Sequence, residues 1–479
     1  MKDYSKYFKL PKLAEARKRL NKDNIIKEYE IKEELLTLGK GYKYFIITHG
    51  CQGNEADSEK IRGILESMSF EETLDEKEAD LVVFNTCAIR ENAEEKVYGE
   101  LGRFKEYKRN NENLVIALCG CMAQEEKVIN RIRKTYNYVD IVFGTHKIDV
   151  LPSLLEETYI NKHKVIDVLS YEGDIVENIP VKRMSNIKAW VNIMYGCDEF
   201  CTYCIVPYTR GKERSRRPEN IIEEVKELAK EGYKEVTLLG QNVNAYGKDF
   251  LDIKYSFADL LSDLSKIDIP RIRFVTSHPK DFDDDLIDVL ARGGNLMPYI
   301  HLPVQSGSSK VLKKMNRKYT REEYIILVDK IKAKIPNVSL TTDIIVGFPY
   351  ETEEDFQETL SLIEYVKFEG AYTFIFSKRE GTPAASFVDD TITKEVASNR
   401  LHRLNDVVNK YYLEGNKRFE GKTVLVLVEG NSKNKDDMLM GYTENNKLVN
   451  FKGDKSLIGS IVKVKITEAK TWSLDGELE

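Results

Sequence analysis

The chain has 479 residues, of which 42% are apolar and 32% charged, with a net charge of −6. That length suits about three domains, and the composition is that of an ordinary soluble protein. Nowhere do 18 apolar residues follow one another, which excludes a helical membrane span. The charged stretch Met1 to Glu28 has no apolar segment that could act as a signal peptide, so a cytoplasmic location is expected. Seven cysteines, an odd number, argue for reduced thiols and metal ligation over a disulfide framework.

Residues 1–41 read as a charged, helical extension with no recognisable chemistry. From residue 42 to about 160 the chain falls into strand, loop and helix units. Tyr44 to Thr48 leads into His49-Gly50-Cys51-Gln52-Gly53-Asn54, Leu81 to Phe84 into Asn85-Thr86-Cys87, and Val115 to Leu118 into Cys119-Gly120-Cys121. A helical pattern follows each one, and strands alternating with helices predict an open parallel sheet covered by helices. Ligands of such sheets collect outside the carboxyl ends of the strands. Cys51, Cys87 and either Cys119 or Cys121 fall there, so three thiols far apart in sequence can converge on one point.

A polar connection occupies about 152–188, and residues 183–413 form a second series. Strands are expected near Val191 to Met194, Val236 to Leu239, Ile272 to Phe274, Tyr299 to His301, Leu340 to Ile345 and Tyr372 to Phe376. Helical stretches such as Pro218 to Glu231, Arg321 to Lys334 and Glu353 to Tyr365 separate them. Six units suit an incomplete parallel barrel, short of the eight units of a closed one, with its chemistry at the carboxyl ends of the strands.

Behind the first of these strands stands Gly196-Cys197-Asp198-Glu199-Phe200-Cys201-Thr202-Tyr203-Cys204. Three thiolates at this spacing can hold three corners of a four-iron, four-sulfur cluster and leave the fourth iron open to a substrate. A structural zinc site normally closes with four Cys or His ligands, and outside the triplet there is no His or Cys between His163 and His278. Other strand ends carry Gly240-Gln241-Asn242, Thr276-Ser277-His278, Pro303-Val304-Gln305-Ser306-Gly307 and Gly347-Phe348-Pro349, loops that together could cradle a charged, polar cofactor. Asp343 lies inside a β-rich run and needs a hydrogen-bonded partner there. From Arg210 to Arg217 five of eight residues are basic, a local charge that favours phosphate contact.

After a helical stretch from Lys394 to Glu414, residues 415–479 turn β-rich. Thr423 to Val428 is continuous, Val462 to Ile466 alternates, and Gly441-Tyr442, Asn445-Asn446 and Gly453 supply turns. This predicts a small antiparallel β-barrel. Nine Lys against six Asp or Glu between Gly421 and Lys470 make it basic inside an acidic chain, and small β-barrels often bind oligonucleotides.

The triplet resembles the one in radical S-adenosylmethionine enzymes. With Cys51-Gln52-Gly53-Asn54, Asn85-Thr86-Cys87-Ala88-Ile89-Arg90-Glu91-Asn92, Gly120-Cys121-Met122-Ala123 and Cys201-Thr202-Tyr203-Cys204-Ile205-Val206-Pro207-Tyr208-Thr209-Arg210-Gly211, the chain from Tyr42 onward is similar to the methylthiotransferases. Its segments look most like those of enzymes acting on isopentenyladenosine beside the tRNA anticodon. The resemblance implies an α/β chain: an amino-terminal parallel α/β domain, a radical SAM barrel, and a TRAM-like RNA-binding barrel. It implies two four-iron, four-sulfur clusters as cofactors, an auxiliary one on Cys51, Cys87 and Cys121 and a radical-generating one on Cys197, Cys201 and Cys204. It leaves Cys119 as a free thiol.

S-adenosylmethionine would serve as both methyl donor and radical source. The cofactor would lie among Tyr203, Gly240, Gln241, Asn242, Gln305, Ser306 and Asp343, with Tyr203 beside its adenine and Asp343 on its ribose. Arg210, Arg214 and Arg216 are expected to meet the anticodon-loop phosphates while the terminal barrel holds the stem. The implied partners are tRNA, an electron donor such as flavodoxin or ferredoxin, and a source of sulfur.

Overall fold

The computed structural model describes residues 24–479 apart from 89–90, 169–172, 390–391 and 433–437, and leaves out the side chains of residues 91–93. Most of the charged extension, and Ile89 and Arg90 of the second cysteine segment, lie outside the described residues. Of the extension's remainder, Ile26–Glu28 is a short strand and Glu33–Leu35 a single 3₁₀ turn, so the helix expected there is corrected for this part.

The chain divides into two compact units. The first comprises residues 1–184 with 195–198 and 204–216, and the second comprises 185–194, 199–203 and 217–479. The first unit holds a six-stranded, all-parallel sheet in the order Glu71–Glu72, Lys43–His49, Leu81–Thr86, Val115–Cys119, Ile141–Phe143, Val165–Asp167. Leu81–Thr86 and Val115–Cys119 are buried along their whole length. Uninterrupted burial is the mark of a parallel strand covered on both faces. Apolar clusters built on Val82, Phe84, Ile116 and Leu118 on one side, and on Tyr44, Ile46, Val83 and Ala117 on the other, provide that cover.

In the second unit the six expected strands are present. Lys188–Asn192, Glu235–Leu239 and Arg271–Phe274 pair in that order, and so do Tyr299–His301, Ser339–Val346 and Ala371–Ile375, all in parallel. One hydrophobic core runs through both groups, from Val191 and Val236 to Leu340 and Ile344. Its helices are started by sequence as well as by packing: at Ser256, Thr320 and Thr352 the N-cap hydroxyl accepts from the third helical N–H, whose own acidic side chain reciprocates.

The last 60 or so residues close into a five-stranded barrel in the order Thr423–Asn431, Met438–Thr443, Leu448–Lys452, Leu474–Leu478, Ile461–Ala469. Four of its pairings are antiparallel as expected, and the fifth, Leu448–Lys452 with Leu474–Leu478, is parallel. Two buried arginines of strand Arg271–Phe274 fasten this barrel to the preceding one. Arg271 donates to the carbonyls of Tyr442 (2.8 Å) and Leu425 (3.0 Å). Arg273 donates to those of Glu444 (2.8 Å) and Thr443 (2.7 Å) and pairs with buried Glu235 at 2.8 Å.

Arg273→Met leaves Glu235 short of its nearest cation and takes a donor from the Glu444 and Thr443 carbonyls, the second of which keeps the Asn446 N–H at 3.0 Å. A loss of about 3 kcal/mol is expected. Trp190 and Trp472 both lie in this unit, so urea unfolding followed by tryptophan fluorescence reports it. An unmoved midpoint would show the fastening to be unimportant.

Candidate iron-sulfur and cofactor sites

The register of the first sheet sets its cysteines. His49 pairs with Thr86 and Asn85 with Cys119, so the residues just beyond each strand, Cys51, Cys87 and Cys121, leave the sheet from the same edge. Asn54 and Asn85, both buried, tie the segments together. Asn54 Nδ2 donates to Asn85 Oδ1 (3.1 Å), and Asn85 Nδ2 donates to the Asn54 carbonyl (2.8 Å) and Ser58 Oγ (2.9 Å). Gly50 packs against Cys87, whose Cβ would lie 2.9 Å from a methyl at that glycine.

Gly120 separates the two neighbouring cysteines. Its φ of +89° is one that side-chain-bearing residues avoid, and a Cβ there would come within 2.5 Å of Asn85 Oδ1 and the Thr86 carbonyl. The turn leaves Cys119 packed in the apolar cluster with Ala117 and Ile64, while Cys121 opens the next 3₁₀ turn, Cys121–Gln124.

The electrostatics sort these thiols. Cys51 is held down to about 5, chiefly by a hydrogen bond from the Cys87 thiol, against the opposing effect of burial and with help from the Arg210 charge. Burial pushes Cys119 well up and raises Cys121 too, with Arg210 opposing. Cys51, Cys87 and Cys121, with Arg210 among them, therefore form one interacting group. Soft thiolate donors beside a fixed cation fit an anionic iron-sulfur cluster.

Arg210 corrects one expectation. It is 7% exposed, its Nε donates to Cys121 Sγ at 3.2 Å, and its Nη2 pairs with Asp57 at 2.8 Å. Arg214 is buried and donates to the carbonyls of Arg210 (3.0 Å) and Gly173. Arg216 pairs with buried Glu177 through Nε (2.9 Å) and Nη2 (2.6 Å). The guanidiniums expected to meet RNA phosphates point inward and are matched there. A basic run in sequence says nothing about which way alternate side chains face.

Within the second unit Cys201 is buried, and Arg317 Nη1 donates to its Sγ at 3.3 Å. Arg317 is further held by Tyr319 Oη (2.8 Å) and the Pro303 carbonyl (2.9 Å). Tyr203 packs against Val311, Met315, Phe348 and Ala384. The Thr202 N–H donates to the Met315 carbonyl at 3.0 Å and its carbonyl accepts from Ala384 at 2.8 Å, which fixes this part of the cysteine loop. Cys197 and Cys204 belong to the first unit, where Gly196 turns with φ of +78° and would drive a Cβ to 1.9 Å from the Lys212 carbonyl.

The remaining cofactor candidates differ in what holds them. Asn242 is buried and donates to Asp281 at 2.8 Å, and Gly240 packs on Met194 where a Cβ would meet Cγ at 2.7 Å. Gln241 lies beside them, half-buried. Gln305 takes a positive φ of 72° while bonding through its backbone to Asp343 (2.9 Å) and Ile345 (2.9 Å). Ser306 is spent internally, accepting from the Ser308 N–H at 3.2 Å. Asp343 is partly exposed and faces His301 at 3.5 Å.

Sequence reasoning passed over Asp57 and Arg317, and placed His278 only as part of a cofactor-cradling loop. Nothing in Lys313-Lys314-Met315-Asn316-Arg317-Lys318 separates the buried arginine from its solvated neighbours. His278 sits with Glu199 and Asp281, their ligand atoms within 4.8 Å of one another. However, Lys280 pairs with Glu199 at 3.0 Å and Lys248 with Asp281, so the chain supplies its own cations there. Burial, with Arg317 and the two lysines, keeps the His278 imidazole neutral.

Fold and sites define the class first. The radical SAM superfamily model matches residues 191–363, that of the uncharacterized protein family UPF0004 residues 43–144, and that of the TRAM domain residues 417–478. A radical S-adenosylmethionine methyltransferase, TsrM, from Kitasatospora setae shares the fold, with a TM-score of 0.53, 14% identity, and coverage of 72% of this chain and 77% of that one. Curated relatives from Anoxybacillus flavithermus and Bacillus subtilis are each 60% identical, over 99% and 100% of this chain and 91% and 94% of their own, and both are named tRNA-2-methylthio-N(6)-dimethylallyladenosine synthase. The chain belongs to the tRNA-2-methylthio-N(6)-dimethylallyladenosine synthase family.

The Cys51 thiol gives a pH test of the first site. In metal-free protein, its alkylation rate is expected to stay level from about pH 8 to about pH 6 and to fall near pH 5, because the thiolate is the nucleophile. The folded group holds fewer protons than the unfolded one between these limits, so the stability it contributes is complete above the ordinary value of 9.0 and fades as pH drops through about 5. Alkylation that titrates like a free thiol would contradict this assignment.

Proposed function

We propose that the protein transfers a methylthio group to carbon 2 of N6-isopentenyladenosine next to the anticodon of tRNA, using two four-iron, four-sulfur clusters and S-adenosylmethionine. The observation that carries this reading is full-length 60% identity to named synthases in two genera. The two cysteine triplets on a parallel α/β unit and an incomplete barrel support it. An aromatic C–H is neither acidic nor electrophilic, so side-chain acid-base catalysis cannot open it. Bound in the two sites, S-adenosylmethionine would supply the methyl group and, cleaved at the radical cluster, the radical, while the auxiliary cluster would hold the sulfur that this carbon receives.

The chain's own residues hold, orient and enclose. Cys51, Cys87 and Cys121 hold the auxiliary cluster, with the Asn54–Asn85 pair fixing the strand ends that carry the first two. Cys197, Cys201 and Cys204 hold the radical cluster, with Arg317 donating to Cys201. Tyr203, Gly240, Gln241, Asn242, Gln305, Ser306 and Asp343 line the S-adenosylmethionine site, Asp343 offering its partly exposed carboxylate to ribose hydroxyls.

The terminal barrel contacts the RNA. The target base must leave its stack, as unpaired loop bases do on protein binding. Flavodoxin or ferredoxin supplies electrons, a separate donor supplies sulfur, and the reaction takes place in the cytoplasm. Among the described residues no helix is long and apolar enough to cross a membrane.

Replacing Cys121 with Ala in the full chain is expected to lower anaerobically reconstituted iron from about eight to about four atoms per chain. The same variant should abolish the methylthio nucleoside in tRNA hydrolysates of a complemented deletion strain, read by mass spectrometry. Cys119→Ala is expected to retain both. The reverse pattern would move the third ligand to Cys119, and an unaltered nucleoside profile in the deletion strain itself would refute the activity.

A further inference from the structure

Arg210 is the only one of the three expected phosphate contacts that touches a sulfur ligand among the described residues. Arg210 is 7% exposed and Asp57 is 4% exposed. A buried charge survives only when it is paired and hydrogen-bonded. Here Nη2 pairs with Asp57 at 2.8 Å and Nε is aimed at Cys121 Sγ at 3.2 Å. The guanidinium also borders Gly53, where an added Cβ would lie 3.5 Å from Cys51 Sγ and 3.8 Å from Arg210 Nη2. One planar cation thus bonds to one of the three thiols and lies near enough to a second, Cys51, to act on it through its charge.

Its backbone is fixed as well. The Arg210 N–H donates to the Val206 carbonyl at 2.8 Å and its carbonyl accepts from Arg214 Nη2 at 3.0 Å. Asp57 projects from the helix Gln52–Ser67 that begins directly after Cys51. The cation and its counter-ion are therefore built into the two segments that flank the site, and both are largely buried there.

Taking the auxiliary-cluster reading above as its basis, we infer that Arg210 is a positioning residue that holds the Cys121 thiolate and raises the reduction potential of the auxiliary cluster, with Asp57 orienting the fork. A cluster on three thiolates gains one further negative charge when it accepts an electron. A fixed guanidinium hydrogen-bonded to a ligand sulfur favours that reduced form, since charge, hydrogen bonds to sulfur and solvent exclusion set cluster potentials. Lysine keeps the charge but not the planar, two-directional donation that reaches Asp57 and sulfur together.

The test uses the full chain with Cys197, Cys201 and Cys204 replaced by Ala, so that only the auxiliary cluster forms on reconstitution. Its one-electron reduction by dithionite is followed by electron paramagnetic resonance against redox mediators, with iron content measured alongside. Arg210→Met is expected to lower the reduction equilibrium constant at least tenfold, which for one electron is about 59 mV, and Arg210→Lys is expected to recover part of it. Loss of iron from the Met variant with retention in the Lys variant also supports the inference, because charge is then what the cluster requires. An unchanged potential in Arg210→Met, or equal loss of iron from both variants, overturns it. If the parent itself binds no four-iron cluster, the auxiliary-cluster reading fails and this inference falls with it.

Discussion

Parallel strand register is the constraint on which the amino-terminal site depends. Cys51, Cys87 and Cys121 lie at least 34 positions apart in the chain, yet each follows a strand that pairs in parallel with its neighbour, so their carboxyl ends reach the same edge together. A one-residue slip would send every side chain to the opposite face. Gly120 shows how finely this is set: with its positive φ, two cysteines separated by a single residue are given opposite fates, one in the apolar core and one at the site.

Much of this was legible in the sequence. Continuous apolar runs at Leu81 to Phe84 and Val115 to Leu118 mark covered parallel strands, and the cysteines standing directly behind them mark the site. The six strands of the second series were readable for the same reason. What the sequence hid was direction. Arg210, Arg214 and Arg216 sit in a run whose overall charge is plain, but whether a guanidinium faces phosphate or an internal carboxylate depends on Asp57 and Glu177, 153 and 39 positions away. The parallel pairing of Leu448–Lys452 with Leu474–Leu478 was hidden likewise, since strand order in a small barrel is set by closure and not by local pattern.

Both cysteine triplets have a buried arginine donating to one of their thiols: Arg210 to Cys121 in the first unit and Arg317 to Cys201 in the second. The two arise from unrelated local structures, one following the short helix Val206–Thr209 and the other following the helix Ser309–Lys314. Burying a guanidinium costs several kcal/mol unless its partners repay the lost hydration, and each is surrounded by acceptors that do so. An acidic protein that places its cations inside, against sulfur, treats them as part of the site and not as surface charge.

The same principle accounts for the junction with the terminal barrel. Arg271 and Arg273 spend their donors on backbone carbonyls at Leu425, Tyr442, Thr443 and Glu444. Crowding between the two guanidiniums is relieved by Glu235, and burial still pulls Arg271 down to about 10, which leaves it fully charged at neutral pH. The barrel is thereby fixed through its main chain, and its own side chains add to this: Lys447 pairs with Glu369 at 3.0 Å, Glu429 pairs with Lys188 at 2.7 Å, and Asn445 Nδ2 donates to the Asn337 carbonyl at 2.7 Å. Its lysines on the outward faces of Ile461–Ala469 and Leu448–Lys452, such as Lys463, Lys465 and Lys452, are exposed and remain available to a polyanion, which is the arrangement a docking module needs: fastened through carbonyls on one side, charged on another.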